Sequence, residues 1–332
     1  MELRTTFNIP ASPVKIAYDD PVMFTGSCFA TSIGKKFEDG KMPVMINPSG
    51  TVYNPVSVIN TLNTIIDARQ YSRQDLFYHN GTWLSFDHYT DFSSDDKQAI
   101  LDKINERTID AAGFMSAARF LFITFGTARI YRWKETGRVV SNCHRIPASD
   151  FTHELLSVED ITSAWTVQLD KIRSFNPGLK VVFTISPVRH WKDGAHGNQV
   201  SKSTLFLAVE KLLEHPSQPG YFPAYELVMD DLRDYRFYAG DMLHPSESAT
   251  DYVWSAFSGC YFDKSTLDLW REIEKITRAL YHRIQSDSKK QKRSFAASIL
   301  RKIDSVSVKR PSLDFTYETK YFSNLMKDTG TS

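Results

Sequence analysis

The chain is poor in cysteine, nearly neutral, and free of long apolar runs. Its 332 residues include only 3 cysteines, Cys28, Cys143 and Cys260. Their number is odd and their spacing matches no metal-ligand pattern, so a disulfide framework or a structural zinc is not expected. With 40 Lys and Arg against 39 Asp and Glu, the formal charge is +1, which gives no reason to expect nucleic acid as a partner. No segment approaches the roughly 18 apolar residues that a membrane helix needs. The opening residues, Met1 to Phe7, lack the basic-then-apolar order of a secretory signal. These absences predict a soluble, cytoplasmic protein with no membrane partner. Gly26 stands alone among non-glycine neighbours, so no phosphate-cradling loop is present. His190, Asp193 and His196 lie close in sequence but match no ligand spacing, so neither a cofactor nor a metal is expected. No internal repeat is visible.

What is present is an alternation of short apolar runs with longer amphipathic stretches. The composition, 42% hydrophobic and 24% charged, is that of an ordinary globular chain able to bury a sizeable core. Strands are expected at Val22 to Phe24, Val44 to Ile46, Phe120 to Ile123, Val181 to Ile185 and Tyr225 to Met229. Helices are expected over 30–37, 55–68, 96–118, 158–175, 246–258 and 267–285. Strands that alternate with helices, and are apolar throughout, predict an α/β fold: a parallel sheet covered by helices on both faces. Arg129 to Trp133 and Arg138 to Ser141 read as a small antiparallel hairpin turned at Gly137. Composition divides the chain into one α/β domain over 1–285 and a polar, partly helical extension over 286–332. That extension opens with the basic run Lys289-Lys290-Gln291-Lys292-Arg293, and a short helix is expected over 295–303. It reads either as a solvated appendage or as an interaction tail.

Ser27 follows the first strand and precedes a helix, in Thr25-Gly26-Ser27-Cys28-Phe29-Ala30. A hydroxyl there sits at the carboxyl end of a parallel strand, where open α/β sheets hold ligands, with helix N–H groups at hand for a developing anion. It also suits a plain helix N-cap. A serine hydroxyl needs an imidazole to take its proton, and the imidazole needs a carboxylate to orient it. Asp241-Met242-Leu243-His244-Pro245, after the last strand, offers both. Cys28 beside Ser27 reads as a buried, inert thiol rather than as an activated thiolate. Arg189 and His190, after the fourth strand, share the rim with Ser27 and suit an anionic or polar substrate group. Tyr225-Glu226 and Arg233-Asp234-Tyr235-Arg236 read as an internal ion-pair network.

Gly26-Ser27-Cys28-Phe29-Ala30 resembles the signature of the GSCFA domain family, which looks like a branch of the SGNH/GDSL esterase superfamily. Further segments carry the resemblance in order: Asn47-Pro48-Ser49-Gly50 through Asn54-Pro55, Phe125-Gly126-Thr127-Ala128, Asn142-Cys143-His144, Thr184 to His190, Ser201-Lys202, Phe222 to Glu226, and Asp241 to Pro245. The likeness implies a flavodoxin-like three-layer α/β/α sandwich and hydrolysis of acyl esters. Ser27 would be the nucleophile, His244 the base and Asp241 its orienter. It also implies an oxyanion hole made of the Ser27 N–H, a glycine N–H after the second strand, for which Gly50 is the candidate, and an asparagine after the third. The superfamily's Gly-x-Asn reads Gly126-Thr127-Ala128 here, and Ala128 cannot donate. Asn142, Asn54 and Thr127 are the candidate replacements, with Asn142 preferred. The expected substrate is a small-molecule or saccharide acyl ester, such as an acetylated carbohydrate. Acyl transfer to another alcohol, or a binding module on a decayed hydrolase scaffold, are the competing readings.

Overall fold

In the computed structural model, which describes residues 5–281 and 288–328, every residue of the first strand, β1 (Val22–Gly26), is buried. One residue later α1 (Cys28–Asp39) begins, then β2 (Val44–Ile46) and α2 (Pro55–Ile66), whose Pro55 occupies the first turn, where its missing N–H costs nothing. A hairpin of β3 (Phe77–His79) and β4 (Thr82–Leu84) leads to α3 (Lys97–Ala117), capped by the Asp96 carboxylate. The buried strand β5 (Phe120–Phe125) follows, then β6 (Arg129–Trp133), β7 (Val139–Val140) and β8 (Phe151–Leu155). After α4 (Val158–Phe175) come β9 (Lys180–Ile185), α5 (Gly194–Leu213), β10 (Gly220–Tyr221) and the short α6 (Ala224–Glu226). Four helices complete the chain: α7 (Glu247–Tyr261), α8 (Lys264–Ala279), α9 (Lys289–Lys309) and α10 (Thr316–Asp328).

The central sheet has five strands in the order β10-β9-β5-β1-β2, and every pairing in it is parallel. Numbered along the chain, that is the 2-1-3-4-5 order of flavodoxin-like sheets. Side chains alternate across it. Val22, Phe24, Phe120 and Phe122 enter a core shared with Phe37, Trp254 and Phe257. Met23, Leu121, Ile123 and Phe125 enter another, shared with Leu62, Trp165 and Leu205. The mixed α/β architecture expected from the sequence is therefore present, helices covering both faces.

Three elements differ from expectation. Tyr225 to Met229 is helical, continuing from α6 into a π-helical turn over Leu227–Leu232 that ends at Arg233 with a φ of 30°; the fifth strand is β10. A run of five mostly apolar residues is too short for its periodicity to tell strand from helix. Helix α5 begins Gly-Ala-His-Gly, among the weakest of helix openings, and its sequence hides it. The hairpin β6–β7 gains β8 on its other edge, making a separate three-stranded antiparallel sheet. In the C-terminal part, α9 is longer than 295–303, and Ala296, Ile299, Ile303 and Val306 join the core that contains Phe24. The expected domain boundary at 285/286 lies outside the described residues, and the helix expected over 267–285 is α8, which stops earlier, at Ala279, with Leu280 as its C-cap.

Gly26 fixes the approach of β1 to β5. Its φ is +129°, and a Cβ there would stand 2.1 Å from the Thr124 carbonyl oxygen, a backbone atom with no room to move aside. Gly26→Ala is expected to lower stability by more than ~2 kcal/mol. Urea unfolding measures it, and a wild-type midpoint would contradict the constraint.

Candidate functional site

The β1–α1 turn places Ser27 as the N-cap of α1, its Oγ accepting the Phe29 N–H at 3.3 Å. The turn is held from three sides. Gly26 N donates to Asn47 Oδ1 at 2.8 Å, Val52 N donates to Gly26 O at 3.0 Å, and Ser27 N donates to Thr124 O at 3.0 Å. Ser27 is thus both cap and cavity wall: with 1% exposure, it lines a cleft of about 490 Å³ whose wall also includes His244, Asn54, Thr127, Asn142, Arg189 and His190.

His244 Nδ1 lies 2.6 Å from Asp241 Oδ2, and Asp241 Oδ1 accepts the N–H groups of Leu243 and His244 at 2.9 Å each. The His244 backbone N–H, the Leu243 N–H and the imidazole hold the Asp241 carboxyl down at about 2. One carboxylate thereby folds its own loop and orients the imidazole. Both side chains are about half exposed. Ser27 and His244 face one cleft without a direct hydrogen bond among the described residues; such bonds commonly tighten only when substrate is bound.

The expected oxyanion donors are placed differently. The Ser27 N–H is engaged by Thr124 O, and the Gly50 N–H donates to Asn47 O at 2.7 Å. Gly50, with φ +78°, packs against Tyr89. Asn142 Nδ2 donates to Thr90 Oγ1 at 3.3 Å while its Oδ1 caps the His144 N–H. Asn54 caps α2 through Oδ1 and donates one amide hydrogen to Ser57 Oγ at 3.0 Å, leaving the other free on the cleft wall. Thr127 Oγ1 pairs with Ser201 Oγ at 2.9 Å. Of the side-chain candidates, Asn54 is the one fixed by capping a helix.

Arg189 reaches from the cleft to Met229 Sδ at 3.8 Å, and His190 packs edge-on against Tyr53 at 5.2 Å. Burial, with Lys202 adding repulsion, pulls His190 down to about 4, so it is a neutral wall at neutral pH. Burial raises the Cys28 thiol above its ordinary value, which makes it a poor thiolate. The ion-pair network expected near the loop is absent: Arg233 and Arg236 make only exposed local pairs with Asp230 and Asp234, and Glu226 is held by the Tyr221 hydroxyl at 2.8 Å. Sequence reasoning missed the outer wall. Arg129 and His153 of the three-stranded sheet flank Asp193 at 3.6 Å each, Tyr131 stacks on His153 at 4.4 Å, and Lys192 donates to the Tyr131 hydroxyl at 2.8 Å.

Two buried imidazoles set a pH dependence. Burial holds both His190 and His88 at about 4, below the usual 6.5. The unfolded chain therefore binds more protons than the folded one between about 4 and 6.5, and stability falls as pH drops through that window, by up to roughly 3 kcal/mol for each histidine. Thermal unfolding at pH 7 and pH 4.5 should show a lower midpoint in acid; equal midpoints would refute it.

No curated protein matches the chain. Among solved structures, a carbohydrate esterase family 3 from Talaromyces cellulolyticus is similar over 76% of this chain and 99% of its own, at 8% identity and a TM-score of 0.36. Among the described residues no helix is long and apolar enough to cross a membrane. The profile of the GSCFA family matches residues 21–257, which run from the residue before β1 to Phe257 in α7, and the chain belongs to that family.

Proposed function

We propose that this protein is a serine hydrolase that cleaves acyl esters through an acyl-enzyme on Ser27. The observation that carries the reading is the Asp241–His244 pair, 2.6 Å apart, whose His244 lines the same cleft as Ser27. In the first step Ser27 Oγ attacks the ester carbonyl carbon while His244 Nε2 takes the hydroxyl proton. The carbonyl electrons move to oxygen, then return as the C–O bond to the alcohol breaks and His244 gives that alcohol the proton. Water, deprotonated by the same imidazole, releases the acid and restores Ser27. Asp241 holds Nδ1–H and steadies the imidazolium. Asn54 offers the free amide hydrogen for the oxyanion. Access is through the cleft, since Ser27 itself is almost wholly covered.

The walls suit a polar ester. Among the described residues, Arg129, Arg189 and Lys192 line the cleft against Asp193 as its one lining carboxylate, and Tyr53, Tyr89, Tyr131 and Trp191 add aromatic rings to the lining. An acylated carbohydrate, or an ester that also carries an acid group, fits both. One observation favours a different class. The Ser27 and Gly50 N–H groups are already bonded to carbonyls, which a binding module that performs no chemistry would tolerate.

A fluorophosphonate probe separates the two readings. Labelling is expected at Ser27, abolished by Ser27→Ala, retained in Cys28→Ala, and slowed by about 10²–10⁴ in Asp241→Asn, which keeps an acceptor for the two backbone N–H groups but loses the charge. Mass spectrometry locates the adduct, and no label under any condition would sink the esterase in favour of the binding module. Asn54→Ala is expected to slow the labelling of folded protein by about 10²–10³, the cost of one oxyanion donor. An unchanged rate would return the role to another group.

A further inference from the structure

Helix α5 grips the floor of the cleft from behind, at the loop where the superfamily pattern would have its asparagine. Ser201 Oγ accepts the Ala128 N–H at 2.8 Å and pairs with Thr127 Oγ1. Asn198 Oδ1 accepts the His190 N–H at 3.0 Å. Between them Lys202, with no exposed surface, donates to Gly126 O at 2.7 Å and Ser186 O at 2.6 Å. These carbonyls close β5 and β9, and the adjoining Thr127 and Ser186 line the cleft. The titratable groups that face the ammonium are Cys28 of α1, whose raised thiol favours the lysine's charge only when ionised, and Arg189, which opposes it; Tyr225 presents its ring at 5.8 Å, and His190 stays neutral. No carboxylate pairs with Lys202 among the described residues. An ammonium buried with carbonyl dipoles alone is costly to keep, and its field is uncancelled in a region of low dielectric.

We propose that Lys202 is a positioning residue for acyl transfer: it locks the Gly126 and Ser186 loops around the reacting carbonyl and supplies, from behind them, the positive potential for the oxyanion that Ala128 cannot stabilise. The inference rests on the esterase reading. The ammonium touches no reacting atom. It acts through the two carbonyls that it fixes and through its charge. Burial draws its titration down from the usual 10.5 to about 7. The charge is therefore present below about 7 and lost above it, and the assistance disappears on the alkaline side.

Labelling of Ser27 by the fluorophosphonate, followed from pH 6 to 9.5 and corrected for probe hydrolysis, tests this. The wild-type rate is expected to fall above about pH 7, by roughly tenfold. Folded Lys202→Met is expected to react about tenfold more slowly at pH 6.5, with no falling limb. With a chromogenic acetate ester the loss should appear in kcat and not in KM. A merely structural lysine would move neither the limb nor that split. If Lys202→Met does not fold, the wild-type profile decides alone. A labelling rate that stays flat from pH 7 to 9.5 while circular dichroism reports intact protein overturns the role of Lys202 and leaves the esterase standing. Failure to label Ser27 at any pH overturns both.

Discussion

The architecture depends on one close approach, that of Gly26 to the Thr124 carbonyl. A side chain there would stand 2.1 Å from the oxygen, so β1 can run beside β5 to its last residue only because position 26 has none. That approach delivers Ser27 N to the same carbonyl and leaves Gly26 O free for Val52 N. Val52 then sets the path of the next residue, whose carbonyl accepts the N–H groups of Gly126 and Thr127. The carboxyl ends of β1 and β5 and the loop after β2 are thereby tied into one rim, and the cleft is what the rim encloses.

The rim has a rigid side and a loose side. Ser27, Asn54 and the Gly126 loop are each held by a helix, through a cap or through the buried face of α5. His244 and Asp241 stand on an exposed loop that coheres through its own hydrogen bonds. Orientation of the imidazole is therefore local and does not require the core to be perfect. Under the proposed function, alignment of that imidazole with Ser27 is the step left to substrate.

The strands β1, β2, β5 and β9 were legible because runs such as Phe120 to Ile123 are apolar throughout, as strands covered on both faces must be. Helix α4 was legible in full because its Ser157 cap and its Asn176-Pro177-Gly178 stop are both local signals. Tyr225 to Met229 was not, since five residues are too few for a helical period to stand out from a strand. Ser27, Asp241 and His244 could be chosen from order along the chain and from family likeness. The hydrogen bond that occupies the Ser27 N–H could not, because its acceptor, Thr124 O, is remote in sequence. Lys202 stood in a quoted segment, yet nothing in a lone lysine announces that it is sealed from water; only the missed helix α5 puts it behind the cleft.

The three-stranded sheet β7-β6-β8 makes no strand pairing with the central sheet, yet it supplies Arg129, Tyr131 and His153 to the cleft. Under the proposed function, bond-making and ligand choice thus sit on separable pieces of chain. Substitutions on β6 and β8 can exchange one outer wall for another while the tied rim and the Asp241–His244 loop stay as they are. Members of one family can in this way diverge in what they accept without relearning how to react.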